Sequence, residues 1–173
     1  MRVIAVANQK GGVAKTTTCI NLGASLAYHA RRVLIIDMDP QAHSTLGLGF
    51  EPNEFEKTIL NVLEPNRSPF HLELNDVIIP TKTPNLYIAP SNIDLAGEEY
   101  RLIDKLGRED FLNSGIQRAK PQFDYILVDC PPSLGILTIN SLKACREVIV
   151  TIQPHYFALR GIQELSLIHI SEP

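Results

Sequence analysis

Ten consecutive residues, Asn8-Gln9-Lys10-Gly11-Gly12-Val13-Ala14-Lys15-Thr16-Thr17, constrain what this chain can fold into more than any other stretch. They follow the apolar run Val3-Ile4-Ala5-Val6-Ala7 and open an apolar helical run from about Thr16 to Ala30. Strand, glycine-rich loop and helix, in that order, form the setting of a phosphate-binding loop. There the backbone N–H groups of Gly11, Gly12, Val13, Ala14 and the following residues curl around phosphates, and the helix N-terminus adds unsatisfied donors. In such a loop Lys15 meets the β/γ-phosphate charge, the Thr16 hydroxyl holds Mg²⁺, and Thr17 lies beside it.

Two further anchors place carboxylates at strand ends. Val33-Leu34-Ile35-Ile36 is a continuous apolar run of the kind found in central parallel strands, and it ends in Asp37-Met38-Asp39-Pro40-Gln41. Open α/β sheets bind ligands at the carboxyl ends of their strands. Tyr125-Ile126-Leu127-Val128 runs into Asp129 in the same way, a Walker B arrangement; a strand next to the loop strand would bring Asp129 close to Mg²⁺. The expected fold is therefore α/β, a mostly parallel sheet flanked by helices. A chain of 173 residues, 45% hydrophobic and 20% charged, is enough for one such domain with a sizeable core. No apolar run is long enough to span a membrane. Cys19, Cys130 and Cys145 are widely spaced in apolar settings, which predicts buried structural thiols and a cytoplasmic chain. The net charge of −3 does not advertise nucleic-acid binding.

These motifs resemble the ParA/MinD family of P-loop NTPases with a deviant Walker A loop, whose usual form is K-G-G-x-G-K-T-T. The D-x-D-P-Q of Asp37 to Gln41 and the D-x-P-P-S-L-G of Asp129 to Gly135 resemble the ParA type in particular. The resemblance implies that Lys10 reaches across a nucleotide-sandwich dimer to the partner's phosphates. It implies that Asp37 lies near Mg²⁺, that Asp39 orients or activates the attacking water, and that Asn140 approaches the nucleotide base. Ala42 to Gly49 resembles the first nucleotide-sensing switch; His43 within it reads as a surface residue. Ala89-Pro90-Ser91 with Asp94-Leu95-Ala96 resembles a segment leading into a helix on the dimer side. One departure stands out: Ala14 occupies the family's glycine position. If φ there is positive, alanine carries a cost on the order of 1–2 kcal/mol and weakens ATP handling.

Elsewhere, Phe55 to Leu63 predicts a short helix and Leu86-Tyr87-Ile88-Ala89 a strand. Glu98 to Ala119 predicts mostly helix, with Leu102, Ile103, Leu106, Phe111, Leu112 and Ile116 as a broken apolar stripe. His155-Tyr156-Phe157-Ala158-Leu159-Arg160-Gly161 resembles the family's x-Y-x-A-L-x-G, with His155 in a packing role. The resemblance covers residues 1–164, an incomplete ATPase domain, and residues 165–173 read as a tail foreign to it.

The function implied is a chromosome or plasmid partition ATPase using ATP and Mg²⁺. It would form an ATP-dependent homodimer, bind nonspecific DNA, respond to a ParB-like stimulating protein, and associate with the nucleoid when ATP-bound. Two alternatives stay open at this point. One is a MinD-like ATPase cycling on membranes; the other is a nucleotide-binding interaction protein whose hydrolysis Ala14 has impaired.

Overall fold

In the computed structural model, which describes residues 1–102, 105–119 and 122–153, apolar runs and helices alternate along the chain. The order is β1 (Arg2–Ala7), α1 (Lys15–Tyr28), β2 (Val33–Asp37), α2 (His43–Gly47), α3 (Ile59–Leu63) and α4 (Leu74–Val77). Then come β3 (Ile79–Pro80), β4 (Leu86–Ala89), α5 (Asp94–Leu102), α6 (Phe111–Arg118), β5 (Tyr125–Asp129), α7 (Ile136–Ala144) and β6 (Glu147–Val150). Among the described residues, six strands lie in the order β3-β4-β2-β5-β1-β6. All pairings are parallel except that of β3 with β4.

Strand alternation sorts the core into two layers. Ile4 and Val6 of β1, Val33 and Ile35 of β2, and Leu127 of β5 pack with Cys19 and Ala27 of α1. Ala5, Ala7, Leu34, Ile36, Ile126 and Val128 face the opposite layer, with Ile59, Leu74, Leu95, Leu112 and Leu137 from α3 to α7. Leu34, Ile35 and Ile36 are wholly buried, each worth roughly 1.5–3 kcal/mol relative to exposure. Residues adjacent along a strand point to opposite faces, so an unbroken apolar run is what a strand covered on both sides requires. The three thiols are free and buried, as their settings predicted.

The described residues from Glu98 to Ala119 are mostly helical, as expected, but in two pieces: α5 ends at Leu102, α6 begins at Phe111, and between them Gly107 takes φ +70°, where a side chain would be strained. Leu102, Leu112 and Ile116 are buried as the stripe predicted, whereas Leu106 is 99% exposed. The helix expected from Phe55 forms only over Ile59–Leu63. The motif from His155 to Gly161 and residues 165–173 lie outside the described residues. Among the described residues, no helix is long and apolar enough to cross a membrane.

Candidate nucleotide site

Register places the site. β5 lies between β1 and β2, so that Val6 and Asp37 each pair with Asp129 at the carboxyl ends of three adjacent strands. A cavity of about 490 Å³ opens above those ends, within the range of small-molecule sites. Gly11, Gly12, Ala14, Lys15, Thr16 and Thr17 line it, together with Asp39, His43 and Pro132.

The loop turns through two left-handed residues, Gly12 at φ 72° and Ala14 at φ 64°. Ala14 is the N-cap of α1, so the methyl group sits where a glycine would be free of strain. Val13 is buried and does not line the cavity. Asn8 ties the loop at both sides: its Oδ1 accepts the Lys10 N–H at 2.9 Å and its Nδ2 donates to the Thr151 carbonyl at 2.6 Å. Gln153 Nε2 donates to the Gly12 carbonyl at 3.2 Å.

Lys15 is 7% exposed, and its Nζ donates to the Lys10 carbonyl at 3.1 Å. Burial lowers its pKa, while the charges of Asp129 and Asp39 act in the opposite sense. An ammonium so placed, bonded to a carbonyl rather than a carboxylate, suits an incoming phosphate. Lys10 itself is exposed, outside the cavity wall.

Beneath the cavity the aspartates divide their work. Both oxygens of Asp37 are occupied: Oδ1 accepts the Asp39 N–H at 3.2 Å, and Oδ2 accepts the Thr45 N–H and hydroxyl, each at 2.8 Å. Burial raises its pKa to about 7, the neighbouring Asp129 charge acting in the same direction. Asp129 Oδ2 accepts the Thr16 hydroxyl at 2.7 Å and the Ser44 hydroxyl at 2.8 Å, while its buried Oδ1 has no partner among the described residues. Burial raises the pKa of Asp129 too. An unpartnered buried carboxylate oxygen next to a threonine hydroxyl, with a second carboxylate alongside, is a donor set that fits a hard cation such as Mg²⁺. Asp39 reaches the wall, its Oδ1 accepting the Gln41 N–H at 2.9 Å.

Of the residues singled out from sequence, the structure gathers Gly11, Gly12, Ala14, Lys15, Thr16, Thr17 and Asp39 on one wall, with Asp37 and Asp129 below. Asn140 is a correction. Its carboxamide is wholly buried, accepting the Leu112 N–H at 3.1 Å and donating to the Arg108 and Ile136 carbonyls at 2.7 and 3.0 Å. It joins α7 to the turn before α6 and does not line the cavity. Ser44 and Thr45 were missed: both hydroxyls bind strand-end aspartates, and Thr45 Oγ1 also accepts the Ser91 N–H at 3.1 Å. Their place in the stretch Ala42 to Gly49, which resembles the first switch, was the signal available for them.

A family profile described as an AAA domain matches residues 1–171. The chain belongs to the AAA-domain family. Within the family, its curated relatives bear out the ParA resemblance of the three motifs. The sporulation initiation inhibitor protein Soj of Bacillus subtilis is 44% identical over 164 residues, covering 95% of this chain and 63% of that relative. The chromosome partitioning protein ParA of Myxococcus xanthus is 41% identical over 165 residues, 95% of this chain and 56% of its own length. The chain therefore spans less than two thirds of each of these relatives. Among solved structures, a Mycobacterium smegmatis protein described as cobyrinic acid a,c-diamide synthase, with bound ATP analogue and magnesium, is 41% identical. Its TM-score is 0.89, over 97% of this chain and 66% of that one. A plasmid partition protein of Borrelia burgdorferi bound to AMPPNP is 27% identical, with TM-score 0.80 over 96% of this chain and 69% of that one.

Proposed function

We propose that residues 1–164 form the nucleotide-binding part of a ParA-type partition ATPase that cleaves ATP to ADP and phosphate. The observation that carries this reading is the convergence of Lys15, Thr16 and Asp39 on one cavity wall above the unpartnered Asp129 Oδ1. In this reading the loop N–H groups and Lys15 bind the phosphates, and Thr16 and Asp129 hold Mg²⁺, with Asp37 behind them. When bound, Mg²⁺ supplies neutralisation of the charge that develops on the phosphate oxygens. Asp39 orients a water whose oxygen bonds to the γ-phosphorus as the bond to the β,γ-bridging oxygen breaks. The water proton passes to Asp39 and then to solvent. Phosphoryl transfer needs positioning and electrostatics more than a strong base, and an aspartate held by the Gln41 N–H supplies positioning.

The exposed Lys10 is free to reach the phosphates of a second copy in a sandwich dimer, the state that would bind nonspecific DNA and be discharged by a ParB-like partner. Such a protein would be cytoplasmic and nucleoid-associated when ATP-bound. The diamide synthase and the Borrelia plasmid partition protein were both solved with an ATP analogue bound. Partition is preferred because curated relatives of 41–42% identity carry it in their names, against 41% for the diamide synthase.

Phosphate release from Mg-ATP by the purified chain, with no second substrate added, tests the reading. Asp39→Ala is expected to lower kcat by about 100-fold while leaving ATP affinity within about threefold. Equal turnover in the two proteins, or none in either, would overturn it.

A further inference from the structure

His43 was expected to be an ordinary surface residue, and its side chain is 59% exposed. It nevertheless lines the cavity, and its Nδ1 lies 3.2 Å from Asp39 Oδ2. We propose that His43 is a positioning residue for Asp39, an inference that rests on the hydrolysis reading above. The Asp39 carboxylate is held at both oxygens: Oδ1 by the Gln41 N–H at 2.9 Å, and Oδ2 by the imidazole. A backbone donor on one oxygen fixes the carbon but leaves rotation about it; a side-chain donor on the second oxygen fixes the plane.

The means of delivery is local. α2 begins at His43, one residue after Ala42, which takes the left-handed conformation at φ 54°. Ser44 and Thr45, the next two residues, are bonded to Asp129 and Asp37, so the start of α2 is fastened to two strand ends and His43 is carried with it. The charged groups close to the pair are Lys15 from α1, Asp37 from β2 and Asp129 from β5. The bond requires the proton on Nδ1, and a ring's tautomer is set by the hydrogen bond it makes. Asp39 thereby selects the state of His43 that can hold it.

Two measurements on the full chain test this. The first is the ¹⁵N NMR signature of the His43 ring, which reports the tautomer without any nucleotide. The Nδ1–H form is expected in the parent and is expected to give way to the Nε2–H form in Asp39→Asn. Identical ring signatures in the two proteins would overturn the inference. The second is steady-state kinetics with a fluorescent ATP analogue to measure binding. His43→Ala is expected to lower kcat about three- to tenfold with affinity within twofold. His43→Asn, whose Nδ2 occupies the place of Nδ1, is expected to recover most of that loss. Parent kcat in His43→Ala, or no recovery in His43→Asn, would overturn the positioning role while leaving ATP hydrolysis standing. Absence of turnover in the parent would remove both.

Discussion

Ala14 shows how much one methyl group can matter at this site. Its φ of 64° lies in the left-handed region, where a Cβ costs on the order of 1–2 kcal/mol. Ala14→Gly removes that cost but gives the unfolded chain more freedom, worth roughly 0.4–1 kcal/mol in the other direction. A net gain of about 1 kcal/mol is expected, seen as a midpoint about 2–4 °C higher in thermal melting. Tighter Mg-ATP binding is expected as well, because the strained loop is the one that would meet the phosphates in the proposed reading. Equal ATP affinity in the two proteins would show that the methyl group is harmless to the ligand. Asn140 teaches the complementary point. A polar residue at a motif position carried an expectation of ligand contact, yet three hydrogen bonds within the fold hold its buried amide. Sequence spacing located the residue on the right helix; which way its amide faced was decided by the packing of α7 against the turn at Arg108.

Among the elements, the central strands and α1 do most to place the chemistry. The run Val33 to Ile36 could be read as a buried strand, and so could Tyr125 to Val128, but their adjacency could not. Pairing of β2 with β5 in a register that sets Asp37 beside Asp129 is what makes two separate strand-end carboxylates one site. The helix that carries Lys15 and Thr16 must then lie close to the sheet. Gly23 allows this approach: a Cβ there would sit 3.0 Å from Ile35 Cδ1 and 3.2 Å from Leu86 Cδ1. Gly23→Val is expected to overpack the layer between α1 and the sheet and to destabilise by about 1–3 kcal/mol. Chemical denaturation with an unchanged slope and a lower midpoint would report it. Unchanged stability would mean that α1 can lift away from the sheet without cost. The short α2 was the element least visible in sequence, since its anchors are hydroxyls bonded to residues 8 and 85 positions away.

For the whole molecule, the site is a balance between burial and charge. Asp37, with its pKa raised to about 7, binds its proton more tightly folded than unfolded. The stability this confers is complete below about pH 4, declines as the unfolded chain ionises, and is gone once pH has risen through about 7. Its upper bound is about 4 kcal/mol. The melting midpoint of Asp37→Asn relative to the parent is therefore expected to rise between pH 4 and pH 8 without divalent cation. Mg²⁺ is expected to narrow that difference near pH 8, where both carboxylates are ionised and a bound cation offsets their repulsion. A difference independent of pH would show that Asp37 ionises normally in the fold. Much of this molecule was legible beforehand: the α/β class from unbroken apolar runs between helical stretches, the phosphate loop from its glycines and lysine, and the aspartates from their places at strand ends. Those are local properties, written in composition, period and short spacing. The tertiary structure alone decided the strand order, the fastening of α2 through Ser44 and Thr45, the pairing of His43 with Asp39, and the withdrawal of Asn140 from the site. Each of these depends on which distant side chain stands within hydrogen-bonding distance of another, and that is fixed only when two layers of helices close on the sheet.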